Sequence, residues 1–207
     1  MDWNSLLSGI VGAVVGGFIA AFSTMWAAGR STKQAFNYSR TLQDEAEQEA
    51  TRRLLLAIKA EVETIWAGYQ LEVGRHIERL KAGEGLDLIY KLRQHYFTVY
   101  DSNAQYRGHV EDDELRAAIV RTYTLAKGLI DTHLVNNDLL FQYNNVAGLD
   151  LKTYSAVLQQ NQQNATQRWK AFGAEIRTAY QQTKESVSLL LHLLSQSGLL
   201  EREPSKR

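Results

Sequence analysis

Residues 3–29 contain no charged side chain, and this constrains the chain more than any later feature. The run reads WNSLLSGIVGAVVGGFIAAFSTMWAAG. One helix crossing a bilayer needs about 20 mostly apolar residues at ~1.5 Å rise each, so the run is long enough to cross once. Small residues recur in it at four-residue spacing. Gly12 and Gly16 form a GxxxG pair, Ala13 and Gly17 repeat the spacing, Ala21 extends that row, and Gly9 is counted with them. Such rows let helix backbones approach closely in lipid. The expectation is a single transmembrane helix over residues 1–29 whose small-residue face packs against copies of itself or lines a pore.

The flanks set an orientation. A cleaved signal peptide would begin with a basic n-region, whereas this chain begins Met1-Asp2 and its apolar run is longer than an h-region needs. Arg30, Lys33 and Arg40 follow the run. The positive-inside tendency then places the N-terminus on the periplasmic or external side and the bulk of the chain in the cytoplasm. Trp3 and Trp26, with Arg30 and Lys33, are read as interface anchors.

Beyond the run, the architecture is expected to be all-α. The only proline is Pro204, and strand-like alternation is scarce. A polar helical stalk is expected over residues 30–53, a helical bundle over 54–200 and a solvated tail over 201–207. The first bundle helix carries Leu55, Ile58, Val62, Ile65, Tyr69, Val73, Ile77 and Leu80 at three- and four-residue steps, up to Gly83-Glu84-Gly85. Residues 86–100 read as a shorter apolar helix. A third helix opens at the acidic residues 111–114, with a stripe of Leu115, Ile119, Tyr123, Ala126, Ile130 and Leu134, and its end is made irregular by Asn136-Asn137 and Asn144-Asn145. The last helix starts at Asp150 and runs in near-heptad rhythm through Leu158, Asn161, Trp169, Ile176, Tyr180, Val187, Leu190 and Leu194, with Asn161 in the seam. The first and last helices are expected to pack antiparallel.

The search for chemistry returns no catalytic, cofactor-binding or metal-ligating residues. The 23 basic and 23 acidic side chains cancel, so no basic excess points to direct nucleic-acid binding. The absence of cysteine removes thiolate nucleophiles and cysteine-based metal sites. None of His76, His95, His109, His133 and His192 stands in an HExxH arrangement, and each reads as a surface or packed histidine. His109 beside Glu111, Asp112, Asp113 and Glu114 reads as a charged helix start. Phosphate-binding glycine motifs and the nucleophile elbow are also missing. Tyr100, Asp101, Ser102 and Asn103 read as a structural turn that satisfies orphan backbone groups at helix ends.

Residues 100–131, YDSNAQYRGHVEDDELRAAIVRTYTLAKGLID, resemble a segment of small bacterial single-span membrane proteins. There a YDSN turn, a short loop and an acidic helix start precede IVRTYxLxKGLID. The span-then-helices layout is similar, more distantly, to the accessory membrane proteins of type VI CRISPR systems. The resemblance implies a homo-oligomeric pore or membrane-perturbing effector in phage defence, beside a cytoplasmic effector or nuclease partner. A membrane anchor or scaffold docking a soluble cytoplasmic partner is the alternative, and the leucine cluster 189–194 is its candidate strip. An enzyme is the least expected.

Overall fold

The computed structural model describes residues 3–91, 96–103, 108–147 and 156–197, with side chains described from Phe36 onward. Every regular element among them is helical, so the protein is all-α. Helix α1 is Trp3–Tyr69, followed by a π-helical turn Gln70–Gly74, α2 Arg75–Glu78, α3 Thr98–Ser102, α4 Asp113–Ala147 and α5 Ala156–Gln196. The chain divides into two units, Met1–Glu49 and Ala50–Arg207.

In the first unit, α1 residues 36–48 are exposed, including Phe36, Tyr38 and Leu42. Local side-chain bonds decorate this stretch: Thr41 Oγ1 donates to the Asn37 carbonyl and Gln43 Nε2 to Glu47 Oε1. Among the described residues no helix is long and apolar enough to cross a membrane. The side chains of residues 3–29, on which the expected span rests, lie outside the described residues.

In the second unit the remainder of α1 packs with α4 and α5. The α1 stripe continues across the π-helical turn to Tyr69, Val73 and Ile77. Successive four-residue steps would drift around an ideal α-helix. The wider turn, closed by the Arg75 N–H on the Gln70 carbonyl, offsets that drift and keeps the stripe inward. Paired contacts give the directions. Glu61 meets Tyr123 and Tyr69 meets His133, so α1 runs parallel to α4; Leu55, Ile58 and Val62 cluster with Val187, Leu190 and Leu194, whereas Tyr69, Val73 and Ile77 cluster with Ile176 and Tyr180, so α1 runs antiparallel to α5. The α4–α5 pair is antiparallel, with Thr122 bonded to Ser186 and Tyr143 stacked on Trp169.

Parallel α1 and α4 require a return connection, and it opens with residues 79–91. Gly83, at φ 77°, turns the chain in the left-handed region. The Glu84 carboxylate accepts the Lys81 N–H at 2.9 Å across the same turn. Close packing follows, since a Cβ at Gly173 would collide with the Glu84 carbonyl and one at Gly85 with the Trp169 indole.

Several expectations are corrected. Residues 86–91 are irregular rather than helical, because side chains of α4 and α5 take up their backbone groups. The first bundle helix ends at Glu78, before the glycines. Asn136-Asn137 lie inside α4, which continues to Ala147. Asn161 is exposed rather than in a seam. Leu134 is exposed, and the buried row of α4 instead runs Leu115, Ile119, Thr122, Leu129, His133, Asn136 and Leu140. In the leucine cluster, Leu190 and Leu194 are fully buried and Leu191 and Leu193 pack on the core, which leaves Leu189 as its exposed member. The expected cap at Asp150 lies outside the described residues.

Candidate functional site

Two short segments, the helix α3 with Asn103 and the irregular residues 86–91, dock on the long helices of the second unit, held by clusters of polar residues. The first is the YDSN segment. The Glu61 carboxylate, projecting from α1, accepts the Tyr123 hydroxyl at 2.7 Å, the Val99 N–H at 2.7 Å and the Tyr100 N–H at 3.3 Å. It therefore supplies the N-terminal cap that no side chain of α3 provides. Tyr100 is buried and stacks on Tyr123, ring centroids 3.9 Å apart. Asp101 pairs with Lys127 at 2.9 Å, and the ammonium also lies over the Tyr100 and Phe97 rings. Ser102 is exposed, and Asn103 Nδ2 donates to the Val99 carbonyl at 2.8 Å. Burial and the adjacent Glu61 carboxylate push the Tyr123 phenol well above its ordinary value, so it remains a donor.

The second is residues 86–91. Asn137 grips Tyr90 at both backbone groups: its Oδ1 accepts the Tyr90 N–H at 3.0 Å and its Nδ2 donates to the Tyr90 carbonyl at 2.9 Å. The carboxamide thus mimics a neighbouring strand. Asn136 Nδ2 donates to the carbonyls of Leu86 and Leu88, each at 3.2 Å, and the Trp169 indole N–H reaches the Leu86 carbonyl at 3.3 Å.

Beneath this segment lies His133, with no exposed surface. Its Nε2 is 2.7 Å from the Tyr69 hydroxyl, and the Tyr90 ring lies 4.9 Å from the imidazole, centroid to centroid. Whichever of phenol and imidazole donates, His133 Nδ1 and Asn136 Oδ1 are buried without a hydrogen-bond partner. Burial pushes the imidazole down to about 4, so it is neutral at physiological pH. Burial raises the Tyr69 phenol, reinforced by Tyr90 and Tyr180. A neutral imidazole among un-ionised phenols, closed to solvent, sets packing and polarity rather than presenting a nucleophile.

A third cluster flanks the π-helical turn. The Tyr180 hydroxyl contacts Glu78 Oε1 at 2.6 Å and Gln70 Oε1 at 3.0 Å, and Lys184 Nζ reaches Glu78 Oε1 at 2.8 Å. The hydrogen bond from Lys184, then that from Tyr180, holds the Glu78 carboxyl below its ordinary value. Between the end of α4 and the start of α5 a cavity of about 450 Å³ is lined by amide side chains and Arg168.

At the acidic start of α4, Asp112 Oδ1 accepts the N–H groups of Glu114 and Leu115 as a helix cap. Arg116 bonds the Val110 carbonyl and pairs with Asp113. No group of three or more potential metal ligands occurs among the described residues. Trp3, Gly9, Gly12, Ala13, Gly16, Gly17, Ala21, Trp26, Arg30 and Lys33 belong to the backbone of α1. Their side chains lie outside the described residues.

His133, expected as a surface or packed histidine, is packed in the core, whereas Asn136, expected where the helix becomes irregular, is buried in the same row. A signal was present, because Leu129, His133, Asn136 and Leu140 continue the three-four rhythm of Leu115, Ile119 and Thr122. Polar side-chain identity hid a core row. No protein-family model, curated protein or solved structure matches the chain.

Proposed function

We propose that the chain is a homo-oligomeric bacterial inner-membrane protein, held by one span over residues 3–29, that acts as a pore or membrane-perturbing effector in phage defence. The observation that carries this reading is the uncharged run itself, with small residues in rows and basic residues immediately after it. One helix per subunit cannot enclose a channel, so conduction requires a ring of subunits. In this reading the second unit is cytoplasmic and non-enzymatic, and either biases assembly or meets a cytoplasmic effector or nuclease partner. The defence role rests on the resemblance of residues 100–131 and of the layout.

Light scattering on the detergent-extracted protein tests the core of the proposal. A closed assembly of several subunits is expected, and Gly16→Leu should shrink it; a monomer, or an unchanged oligomer in the variant, sinks the self-associating span. Ion leakage from vesicles carrying the protein then separates effector from anchor.

A second reading, a scaffold that docks a soluble partner, is favoured by exposed apolar side chains on α4. Leu134, Val135 and Phe141 are 45%, 45% and 65% exposed. An oligomer that assembles without conducting would favour it.

A further inference from the structure

We propose that residues 86–91 are a releasable strap over His133, opened when that imidazole takes up a proton. The inference stands on the second unit alone and is independent of the membrane reading.

The geometry is that of a latch held from one side. Side chains of α4 and α5 grip the strap backbone: Asn136 at Leu86 and Leu88, Asn137 at Tyr90, and Trp169 at Leu86. These are neutral hydrogen bonds, each of modest net worth. The Tyr90 ring, carried by the strap, covers His133. Lifting the strap would give water to two buried atoms that otherwise have no partner, His133 Nδ1 and Asn136 Oδ1, and this lowers the cost of opening.

Charge supplies the trigger. The groups facing the imidazole are Tyr69 from α1 and Tyr90 from the strap, with Tyr180 of α5 in the same cluster. None of these phenols carries negative charge at or below neutral pH. On α4 itself the neighbouring carboxylates Asp131 and Asp138 are exposed. Among the described residues an imidazolium here is therefore buried without a counter-ion, and solvation is the available relief. The strap is the cover that can move: Leu86 and Tyr90 join the same hydrophobic cluster as α1 and α5, but residues 86–91 form no regular element, whereas α1 and α5 are long helices anchored along their length.

The size of the response follows from linkage. The imidazole titrates at about 4 when covered and at its ordinary 6.5 when solvated. Going from pH 7.5 to pH 5 then raises the open-to-closed ratio about 25-fold.

Hydrogen exchange with mass spectrometry on the full chain in detergent, corrected for intrinsic pH effects, reads this directly. The Tyr90 amide, bonded to Asn137, is the reporter. Peptides covering 86–91 should exchange about 25-fold faster at pH 5 than at pH 7.5, while α5 peptides around Thr183–Leu190 stay protected. His133→Gln, which retains an acceptor for Tyr69, and His133→Phe, which retains a ring, should both abolish the response. A strap rate independent of pH in the wild type overturns the proposal even if neither variant folds. So does a rise shared equally by α5, which is global unfolding, or a response retained in a folded variant, which places the sensor elsewhere.

Discussion

The two docked segments of the second unit are fixed by opposite chemistries. Residues 98–103 are held by a carboxylate, Glu61, whose bonds to the Tyr123 hydroxyl and Val99 N–H are both 2.7 Å long. Residues 86–91 are held by neutral carboxamides and an indole at 2.9 to 3.3 Å. Charge-assisted bonds are shorter and about twice as strong as neutral ones. The first segment is therefore a fixed brace between α1 and α4. The second covers a titratable core group with weaker bonds, which suits reversible opening. One helix surface can thus carry a permanent and a releasable attachment, distinguished by what it offers the backbone.

The sharpest way to break this contrast is to remove the carboxylate. Glu61→Ala leaves the Tyr123 hydroxyl and two backbone N–H groups without their acceptor and should cost about 3–4 kcal/mol in denaturant unfolding. A loss below about 1 kcal/mol would mean that Tyr100–Tyr123 stacking, not Glu61, fixes the brace.

Acid should act on the other segment. Folding depresses the His133 pKa from 6.5 to about 4, so at neutral pH the imidazole is uncharged in both folded and unfolded chains. As pH falls below 6.5 the unfolded chain takes up the proton first, and stability is lost until about pH 4, where the native state also protonates. The His133 contribution to that loss should reach about 3 kcal/mol, read as the difference between wild type and His133→Phe. Parallel pH curves for the two proteins would remove His133 from the comparison.

Asn137→Ala comes next, at about 2 kcal/mol, because it strips the Tyr90 N–H and carbonyl together. Its exchange defect should be confined to the strap, and equal loss at α3 would show that the two attachments are coupled. Smallest is Lys127→Met. The Asp101–Lys127 pair is about half exposed on both sides, so its loss should cost under about 1 kcal/mol of unfolding free energy. A larger effect would move the brace's anchor from Glu61 to the ion pair.

Local rules made much of the fold legible. The α1 stripe from Leu55 to Ile77 was readable because each step buries an aliphatic or aromatic residue, and the acidic start of α4 because Asp112 caps it in its own sequence neighbourhood. Residues 86–100 misled because LDLIYKLRQHYFTVY carries helical spacing. The backbone partners of Leu86, Leu88 and Tyr90 lie about fifty residues away, on Asn136 and Asn137, beyond the reach of any local pattern. The candidate site failed in the same manner, since a core row containing His133 and Asn136 looks like a solvent face until its partners Tyr69, Leu86 and Tyr90 are in place.

The sequence by itself determined the helical class, the inward face of α1 and the start of α4, because helix periodicity, capping and the absence of proline act within a few turns. Tertiary structure alone decided that α1 and α4 run parallel, that residues 86–91 dock on α4 and α5, and that the His133 imidazole and the Asn136 carboxamide lie in the core. Those outcomes depend on hydrogen bonds between distant segments, and a buried polar group is tolerated only where such distant partners meet it.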